Sequence, residues 1–450
     1  MDDKVKYLLS LSAVRDRSKI VGEAAAAGKL SHFDVHEERL GEAADYVTSV
    51  IKRDYGPDKF HTIPPHGRWQ HFEVGNVPRI SKLLEEWKKD GSDDLEVTRR
   101  LIDLFFVSVL LDAGAGDHWR YVEPGTEREY ERSEGIAVAS LYMFKSLSFA
   151  AAKNEKQPIV DGRGLQDLKT EELANGFQIT DKNPMLGVES RANLLRSLGK
   201  SLLSHPEVFG QEGRPGNVVG AYYSLLTTSP IMLTNHNTDF MKKNSSDSST
   251  LDVLVFWDIL QKLLIPIWPQ DRTNVSGQPL GDAWPLSTLK TQSSSSSADE
   301  TEFIQPFHKL TQWLAYSLMV PFTRILSLQW KNASSLTALP EYRNGGLFVD
   351  LGVLTLKPAS LERGIKASSD GTGLPAFSAG DDVIVEWRAM TLVLVDKLYK
   401  LVLQRMEGVD LSMAQLLEAG TWKSGREVAK EKRPKTKSSP IIILSDGTVF

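Results

Sequence analysis

An apolar run at residues 104–111, LFFVSVLL, constrains the fold of this chain more than any other feature. A run with apolar residues on every side predicts a helix that is buried all round, which requires other helices to pack against it. The run ends in DAGAGDHWR at residues 112–120, where the glycines permit a sharp turn. This turn is expected to gather charged and aromatic side chains at a helix end, where a cleft can form. The alternative is an ordinary glycine cap beside solvated ion pairs.

Helical periodicity dominates the rest of the sequence. Apolar residues recur at helical spacing in segments bounded by Gly, Pro or polar residues. The predicted helices span residues 40–51, 80–87, 136–149, 191–203, 251–265, 308–319 and 383–406. Asp34, followed by Glu37, has the spacing of a cap for the first of them. Alternating apolar residues at 347–353 and a β-branched run at 440–444 predict a small strand element. The predicted fold class is therefore mostly α, a multi-helix globule with a small β element.

The length and composition favour one domain. A chain of 450 residues with 41% hydrophobic content can bury a large core. The polar, serine-containing segments near 244–250 and 291–299 read as exposed insertions, and no longer linker interrupts the apolar periodicity. We therefore predict a single catalytic domain over residues 1–450.

Charge and residue usage exclude several classes of protein. The net charge of −5 gives no basic footprint for nucleic acid, and the absence of cysteine excludes disulfides and catalytic thiolates. No apolar segment reaches the roughly 18 residues of a membrane helix, so a cytoplasmic protein, or one that also enters the nucleus, is expected. Neither a P-loop nor a strand-associated GxGxxG is present, which argues against a kinase or a dinucleotide enzyme, and no cofactor is expected.

The segment IPPHGRWQHFE combines residue types that suit a ligand. His66, Arg68, Trp69 and His71 supply titratable rings, a forked cation and a flat aromatic surface, which fit a phosphorylated or heterocyclic ligand. In the alternative interpretation, Trp69 anchors the loop to the core while Arg68 faces solvent. His61 adds a third histidine, but five-residue steps through a Pro-Pro loop would not make three ligands converge, so no metal site is predicted.

Two other segments contain candidate polar residues. His308, Gln312 and Tyr316 fall on one helical stripe, which predicts either a polar face beside a cleft or an ordinary surface helix. The acidic-Tyr-Arg segment at 341–343 precedes the sequence NGG, whose flexible backbone could approach a small ligand closely. For this second segment the functional interpretation is favoured.

Long segments of the sequence resemble one protein family, in the same order, along nearly the whole chain. They are IPPHGRWQHFE, VSVLLDAGAGDHWRY, RSEGIAVASLYMF, GRPGN, PFHKLTQWLAYSL, LPEYRNGGLFVDLGVL, IVEWRAM, GTWKSGR and the terminal SDGTVF. These segments resemble the uracil catabolism protein four family of the fungal URC pathway, also called the Urg-three type and long described as a domain of unknown function. The chain departs from the family pattern at the polar insertions, which leave the shared segments intact.

A shorter resemblance concerns the EYR segment and the LFVDLGVL that follows it. This part is weakly similar to queuosine-salvage N-glycosidases, which are helical enzymes distantly related in form to DNA glycosylases. The resemblance implies a DNA-glycosylase-like fold. The uracil pathway implies an enzyme that frees urea from a ribosylurea-type intermediate, with or without a 5′-phosphate, by cutting an N-glycosidic bond.

The implied reaction assigns roles to the candidate residues. Because an N-ribosyl bond breaks through an oxocarbenium-like transition state, a carboxylate can stabilise the sugar while a donor assists the departing nitrogen. Glu341 or Asp350 is the expected carboxylate, with Asp112 as a competitor, and His66 or His308 is the expected donor. Further contacts to this small nucleoside-derived or nucleotide-derived substrate are expected from Arg68, Trp69, His71, Trp119, Gln312, Tyr316, Tyr342, Arg343 and Asp446.

Alternatives from other classes stay open. Asp446 has a simpler explanation as part of an Asp-Gly turn. A metal-dependent amidohydrolase acting on a ureido group would need converging His and Asp ligands. A non-catalytic nucleotide-binding partner in uracil degradation would expose a large apolar patch instead of enclosing a polar pocket. The oligomeric state is not predicted.

Overall fold

The computed structural model describes residues 2–112, 118–151, 157–221, 250–269, 272–293, 299–368 and 371–444. Helices dominate these residues, which confirms the predicted mostly α class. In chain order they are α1 (Asp3–Leu8), α2 (Leu11–Ala26), α3 (Leu40–Tyr55), α4 (Arg68–Phe72), α5 (Arg79–Lys89), α6 (Asp94–Leu110), α7 (Arg132–Lys145), α8 (Gly162–Gln166), α9 (Thr170–Gly176), α10 (Val188–Leu203), α11 (Pro206–Phe209), α12 (Val253–Leu264), α13 (Ser287–Gln292), α14 (Lys309–Leu326), α15 (Tyr342–Asp350), α16 (Pro358–Ala367), α17 (Asp382–Arg405), α18 (Met413–Gln415) and α19 (Lys423–Lys432). Of these described helices, none has the length and apolarity needed to cross a lipid bilayer.

Short strands pair in twos within the described residues. They are β1 (Phe33–Val35), β2 (Arg120–Val122), β3 (Glu129–Glu131), β4 (Thr250–Asp252), β5 (Asn274–Val275), β6 (Gln278–Pro279), β7 (Ala283–Pro285), β8 (Ile304–Pro306), β9 (Gln329–Lys331), β10 (Leu354–Leu356), β11 (Ala376–Ser378) and β12 (Ile442–Leu444). The β4–β9 and β11–β12 pairs are parallel, whereas β1–β10, β2–β3, β5–β6 and β7–β8 are antiparallel.

Two local predictions need correction. β12 confirms the strand predicted at 440–444, but the strand predicted at 347–353 is wrong because α15 extends through Asp350. Glu341 caps α15, and the helix packs against α17, so tertiary contacts override the local alternation. Asp34 lies in β1, paired with Thr355 of β10, rather than at a helix cap.

Helix α6 lies in the middle of the main core. Asp93 caps its start, and the Asp93 side chain accepts a hydrogen bond from the backbone N–H of Glu96 at 2.8 Å. Leu104 and Val107 have no exposed surface, which confirms the buried helix predicted from residues 104–111. α14, α7 and α4 pack around α6. The predicted glycine turn beyond α6, and most of the predicted insertions, lie outside the described residues.

Two glycines allow helices to approach closely near the end of the chain. A Cβ atom on Gly425, in α19, would lie 2.3 Å from the carbonyl oxygen of Arg343 in α15. A Cβ atom on Gly345 would lie 2.7 Å from Thr391 Oγ1 and 2.9 Å from the Trp387 ring. Gly345 therefore serves helix packing, which corrects the expectation that flexible backbone here approaches a ligand.

We expect Gly425→Ala to destabilise the protein by about 2 kcal/mol, because the methyl group meets backbone that cannot move without shifting a helix. Gly41 offers a matched control, since its added Cβ would meet only the end of the Arg405 side chain, at 3.8 Å. Gly41→Ala should leave stability equal or slightly higher, as alanine is the better helix former. Urea denaturation measures both, and a Gly425→Ala protein as stable as the wild type would contradict this packing.

Candidate active site

A cavity of about 420 Å³ lies where several helix ends meet. It is bounded by the end of α6, the first residues of α7, α14 and α15, and the segment that contains β12. The lining residues are His66, His71, Asp112, His118, Arg132, Ser133, Leu186, Lys309, Trp313, Leu339, Glu341, Tyr342, Trp422, Ser438, Ser439, Ile441, Ile442, Ile443 and Leu444. The cavity therefore brings together these predicted site residues: His66, His71, Asp112, Glu341 and Tyr342.

A larger open groove of about 590 Å³ lies beside α5 and α7. Its Arg79 and Glu123 side chains bond each other at 2.7 Å, which satisfies both charges within the protein. The described residues that line this groove include none of the predicted site residues. The smaller cavity is therefore the better candidate for a site.

Asp112 follows α6 directly and brings a carboxylate from the buried helix to the cavity. Its Oδ2 accepts a hydrogen bond from Arg68 Nη1 at 2.7 Å, and Ser133 donates to the same side chain. Burial disfavours the charged form and is the largest single effect, but the nearby positive charges, led by the Arg68 guanidinium, and the hydrogen bond from Ser133 together outweigh it and hold the pKa of the Asp112 carboxyl below its ordinary value. The cavity therefore contains an ionised carboxylate at neutral pH.

Arg68 lies behind the cavity lining and not on it. The side chain has no exposed surface. Its Nε donates to Ser108 Oγ at 2.8 Å, Nη2 to the Ser108 carbonyl at 3.0 Å, and Nη1 to Asp112 and to His71 Nδ1. These bonds correct the expectation that Arg68 holds a ribose phosphate, and they make it a residue that positions Asp112 and His71.

Glu341 contributes a second carboxyl group to the same cavity. It is the N-cap of α15, and its two oxygens accept hydrogen bonds from the backbone N–H groups of Arg343 at 2.7 Å and Asn344 at 2.6 Å. Burial raises the pKa of the Glu341 carboxyl to about 7, against the opposing effect of Lys309. Near neutral pH this group is therefore able to give or take a proton.

Lys309 is a cavity residue that was not predicted from the sequence. It is the first residue of α14, and both Glu341 and Asp112 act electrostatically on its ammonium group. Burial lowers the pKa of the Lys309 side chain, while the two carboxyl groups oppose that change. The available signal is the lysine in the PFHKLTQWLAYSL segment, next to His308.

The raised pKa of Glu341 predicts a pH dependence of stability. Between pH 4.5 and about 7 the folded protein binds more protons at Glu341 than the unfolded chain does, so this contribution is full below pH 4.5 and is lost as pH rises through 7. In the wild type, the free energy of unfolding should therefore decline as pH rises from 4.5 to above 7. Glu341→Gln should remove up to about 3 kcal/mol of this decline.

Urea denaturation between pH 4 and 8 checks this expectation. Glu123→Gln is a control of opposite sign, because hydrogen bonds from Arg79 hold the pKa of the Glu123 carboxyl below its ordinary value. Glu123 contributes stability that is lost as pH falls, so Glu123→Gln should be less stable than the wild type at neutral pH and should change the slope of the curve only below about pH 4.5. Parallel curves for the wild type and Glu341→Gln would show that the pKa of Glu341 is not raised in the folded protein.

A cluster of four rings occupies another part of the cavity lining. The His66 ring centroid lies 4.6 Å from that of Trp313 and 5.7 Å from that of Trp422. The His71 centroid lies 5.5 Å and 5.4 Å from the same two indoles. Each imidazole therefore contacts both indoles, and the four contacts close a cycle that we call the ring cluster.

A π-helical segment, Leu416–Trp422, supplies two residues of this region. Trp422 completes the ring cluster, and Glu418 Oε2 lies 2.6 Å from His66 Nδ1. π-Helical turns occur frequently at functional sites. Neither residue was predicted from the sequence, because nothing local relates Glu418 to a histidine far away in the chain.

Two predicted catalytic residues lie outside the cavity, which corrects their assignment. Asp350 accepts two hydrogen bonds from the Arg433 guanidinium, at 2.8 and 2.5 Å, so its charge is satisfied at the far end of α15. His308 is buried, and its Nε2 bonds the carbonyl of Leu8 at 2.8 Å. Both side chains are engaged in structural contacts.

The predicted polar stripe of α14 is internal and satisfied by the protein. Gln312 donates to Thr337 Oγ1 at 2.8 Å, and Tyr316 donates to the Thr337 carbonyl at 2.9 Å. The side chains of Gln312, Tyr316 and Thr337 are buried, and their hydrogen bonds connect α14 to the segment before α15. This arrangement corrects both earlier interpretations, because the stripe lines neither the cavity nor the surface.

The remaining predicted contacts are also structural. Trp119 donates to the Phe177 carbonyl at 2.8 Å, and Trp69 packs in the core as its alternative interpretation predicted. Arg343 donates to the Lys437 carbonyl at 2.9 Å and does not line the cavity. Asp446 lies outside the described residues.

The three clustered histidines do not act together. His66 and His71 reach the cavity, whereas His61 is exposed. Across the part of the chain that the structure describes, no group of three or more His, Asp or Glu side chains is placed to hold a metal ion.

Comparisons with known proteins match nearly the whole chain to one family and to two relatives. A family model described as "Protein of unknown function (DUF1688)" matches residues 7–450. The chain is 48% identical to "Protein urg3" of Schizosaccharomyces pombe, over 100% of this chain and 99% of that protein. It is 43% identical to "Uracil catabolism protein 4" of Lachancea kluyveri, over the full length of both.

Proposed function

The chain belongs to the DUF1688 family, and from this premise we propose that it acts in uracil degradation as an N-glycosidase that releases urea from a ribosylurea-type intermediate. The relative named for uracil catabolism supports the pathway. Two carboxyl groups in the cavity support the reaction.

The pair of carboxyl groups in one cavity is the observation that carries the proposal. Asp112 is held ionised by Arg68, whereas Glu341 keeps a proton up to about pH 7. When the surroundings of two carboxyl groups in one site shift their pKa values in opposite directions, one group can act as the acid and the other as the base. Glycoside hydrolysis uses such a pair, with one group protonating the leaving atom and the other stabilising the sugar cation and activating water.

In the proposed reaction, Glu341 gives its proton to the departing urea nitrogen as the bond from C1′ to that nitrogen breaks. The water oxygen forms a bond to C1′, and Asp112 takes the proton that this water loses. Urea and ribose, or ribose 5-phosphate, leave together. Proton exchange with solvent then returns both carboxyl groups to their starting states. Lys309 favours the charged form of both carboxyl groups electrostatically.

The test incubates the chelator-treated protein with ribosylurea and with its 5′-phosphate, and measures urea and free sugar. We expect equimolar release of both products, and the ratio of kcat/KM for the two substrates shows which sugar is preferred. Ammonia and carbon dioxide in place of urea would favour an amidohydrolase. Binding without any product would favour a nucleotide-binding partner. Either result would overturn the proposal.

A further inference from the structure

The two histidines of the ring cluster present opposite hydrogen-bonding groups. Carboxylate oxygens accept hydrogen bonds, so the 2.6 Å contact between His66 Nδ1 and Glu418 Oε2 assigns a proton to Nδ1, and in the Nδ1–H tautomer of the imidazole Nε2 is an acceptor. A guanidinium only donates, so the 3.1 Å bond from Arg68 Nη1 makes His71 Nδ1 the acceptor and places the proton on Nε2. Burial, together with Arg68, lowers the pKa of His71 to about 4, so this ring stays neutral.

The second ring nitrogen of His71, Nε2, has no hydrogen-bond partner among the described residues. His71 is 4% exposed. Buried polar groups are nearly always hydrogen-bonded in native proteins, and an exception needs an explanation. Since His71 lines the cavity, a ligand atom that accepts a hydrogen bond supplies one.

We propose that the ring cluster recognises a planar ureido or amide group, whose carbonyl oxygen accepts from His71 Nε2 and whose N–H donates to His66 Nε2. The indoles of Trp313 and Trp422, which contact both imidazoles, provide the flat apolar surface beside the group. Glu418 and Arg68 are positioning residues that fix the two tautomers. The inference rests on the proposed function, because the leaving group of ribosylurea presents these two atoms.

The donor and acceptor pattern distinguishes ligands of the same shape. N-methylurea offers both a carbonyl and N–H groups, whereas N-methylguanidinium replaces the carbonyl with a further donor. An N–H group of the guanidinium would therefore face the N–H group of His71, and no hydrogen bond could form between the two donors. Ligand-observed NMR titrations of the wild-type protein with each compound measure the difference without any variant. We expect N-methylurea to bind at least tenfold more tightly, and equal binding would overturn the inference.

Variants of the two histidines test the individual bonds. His71→Leu and His66→Leu should each weaken N-methylurea binding tenfold or more, whereas His71→Gln keeps an amide donor and an acceptor for Arg68 and should recover most of the affinity. His32→Gln is the matched control, because His32 also bonds a carboxylate, Asp382 at 2.7 Å, outside the cavity. Wild-type affinity in a folded His71→Leu protein would overturn the inference, with folding judged by circular dichroism.

The titrations test the ring cluster independently of the proposed reaction, so failure of one can be distinguished from failure of the other. Selective binding of N-methylurea by a protein that releases no urea from ribosylurea would overturn the proposed reaction and support the ring cluster as a ureido site. Urea release by a protein that binds N-methylurea and N-methylguanidinium equally would support the reaction and overturn the assignment of the ring cluster.

Discussion

Asp112→Asn is expected to lower turnover of the ribosylurea substrate by about 10³-fold. Asparagine keeps the shape of the side chain, but it loses the negative charge that stabilises the sugar cation and the base that accepts a proton from water. The variant should also lose about 3 kcal/mol of stability, because the buried Arg68 guanidinium loses its counter-charge. Steady-state urea release, measured where the variant is folded, gives the catalytic effect.

Glu123→Gln separates the catalytic effect from the structural one. Glu123 and Arg79 form another buried carboxylate–guanidinium pair, with both side chains 5% exposed, outside the cavity. Glu123→Gln should therefore lose similar stability and keep wild-type turnover. Asp112→Asn retaining more than a tenth of wild-type turnover, or Glu123→Gln losing as much as Asp112→Asn, would remove Asp112 from the mechanism.

Glu341→Gln is expected to lower kcat by about 10²–10⁴-fold, the usual contribution of a positioned general acid. In the wild type, kcat/KM should fall as pH rises above about 7, because Glu341 loses the proton that it donates. The variant should lose this alkaline decline together with the activity. A pH–rate profile of both proteins measures the effect.

Glu386→Gln is the matched control for this second prediction. Glu386 is a fully buried glutamate that, like Glu341, accepts hydrogen bonds from two backbone N–H groups, those of Ser31 at 2.8 Å and His32 at 2.7 Å, outside the cavity. Its variant should keep the wild-type profile. An alkaline decline that persists in Glu341→Gln would mean that another group donates the proton.

Local patterns in the sequence predicted the helices well. The apolar run at 104–111 and the helical stripes of α5, α7 and α17 are predictable from each segment alone, because the spacing of apolar residues along a segment determines which face of the helix is apolar. The alternation at 347–353 failed for a physical reason. α15 is held by the Glu341 cap and by packing on α17, and neither feature is visible in the alternation.

The site was predicted only in part, because distant segments assemble it. His66, Asp112 and Glu341 were chosen for their chemistry and do meet at the cavity. Glu418 was missed because it bonds a histidine 352 residues away. Asp350 does not line the cavity, and its partner Arg433 lies 83 residues further along the chain, so nothing local predicts the pair.

The most direct test of the central claim follows the carbon of the ureido group. Ribosylurea labelled with ¹³C at the carbonyl is incubated with the protein and observed by ¹³C NMR. Cleavage of the N-glycosidic bond predicts that the ribosylurea signal is replaced by that of intact urea. A bicarbonate or carbamate signal would show that an amide bond breaks instead, and an unchanged spectrum would show that this compound is not a substrate. Both of those results contradict the account.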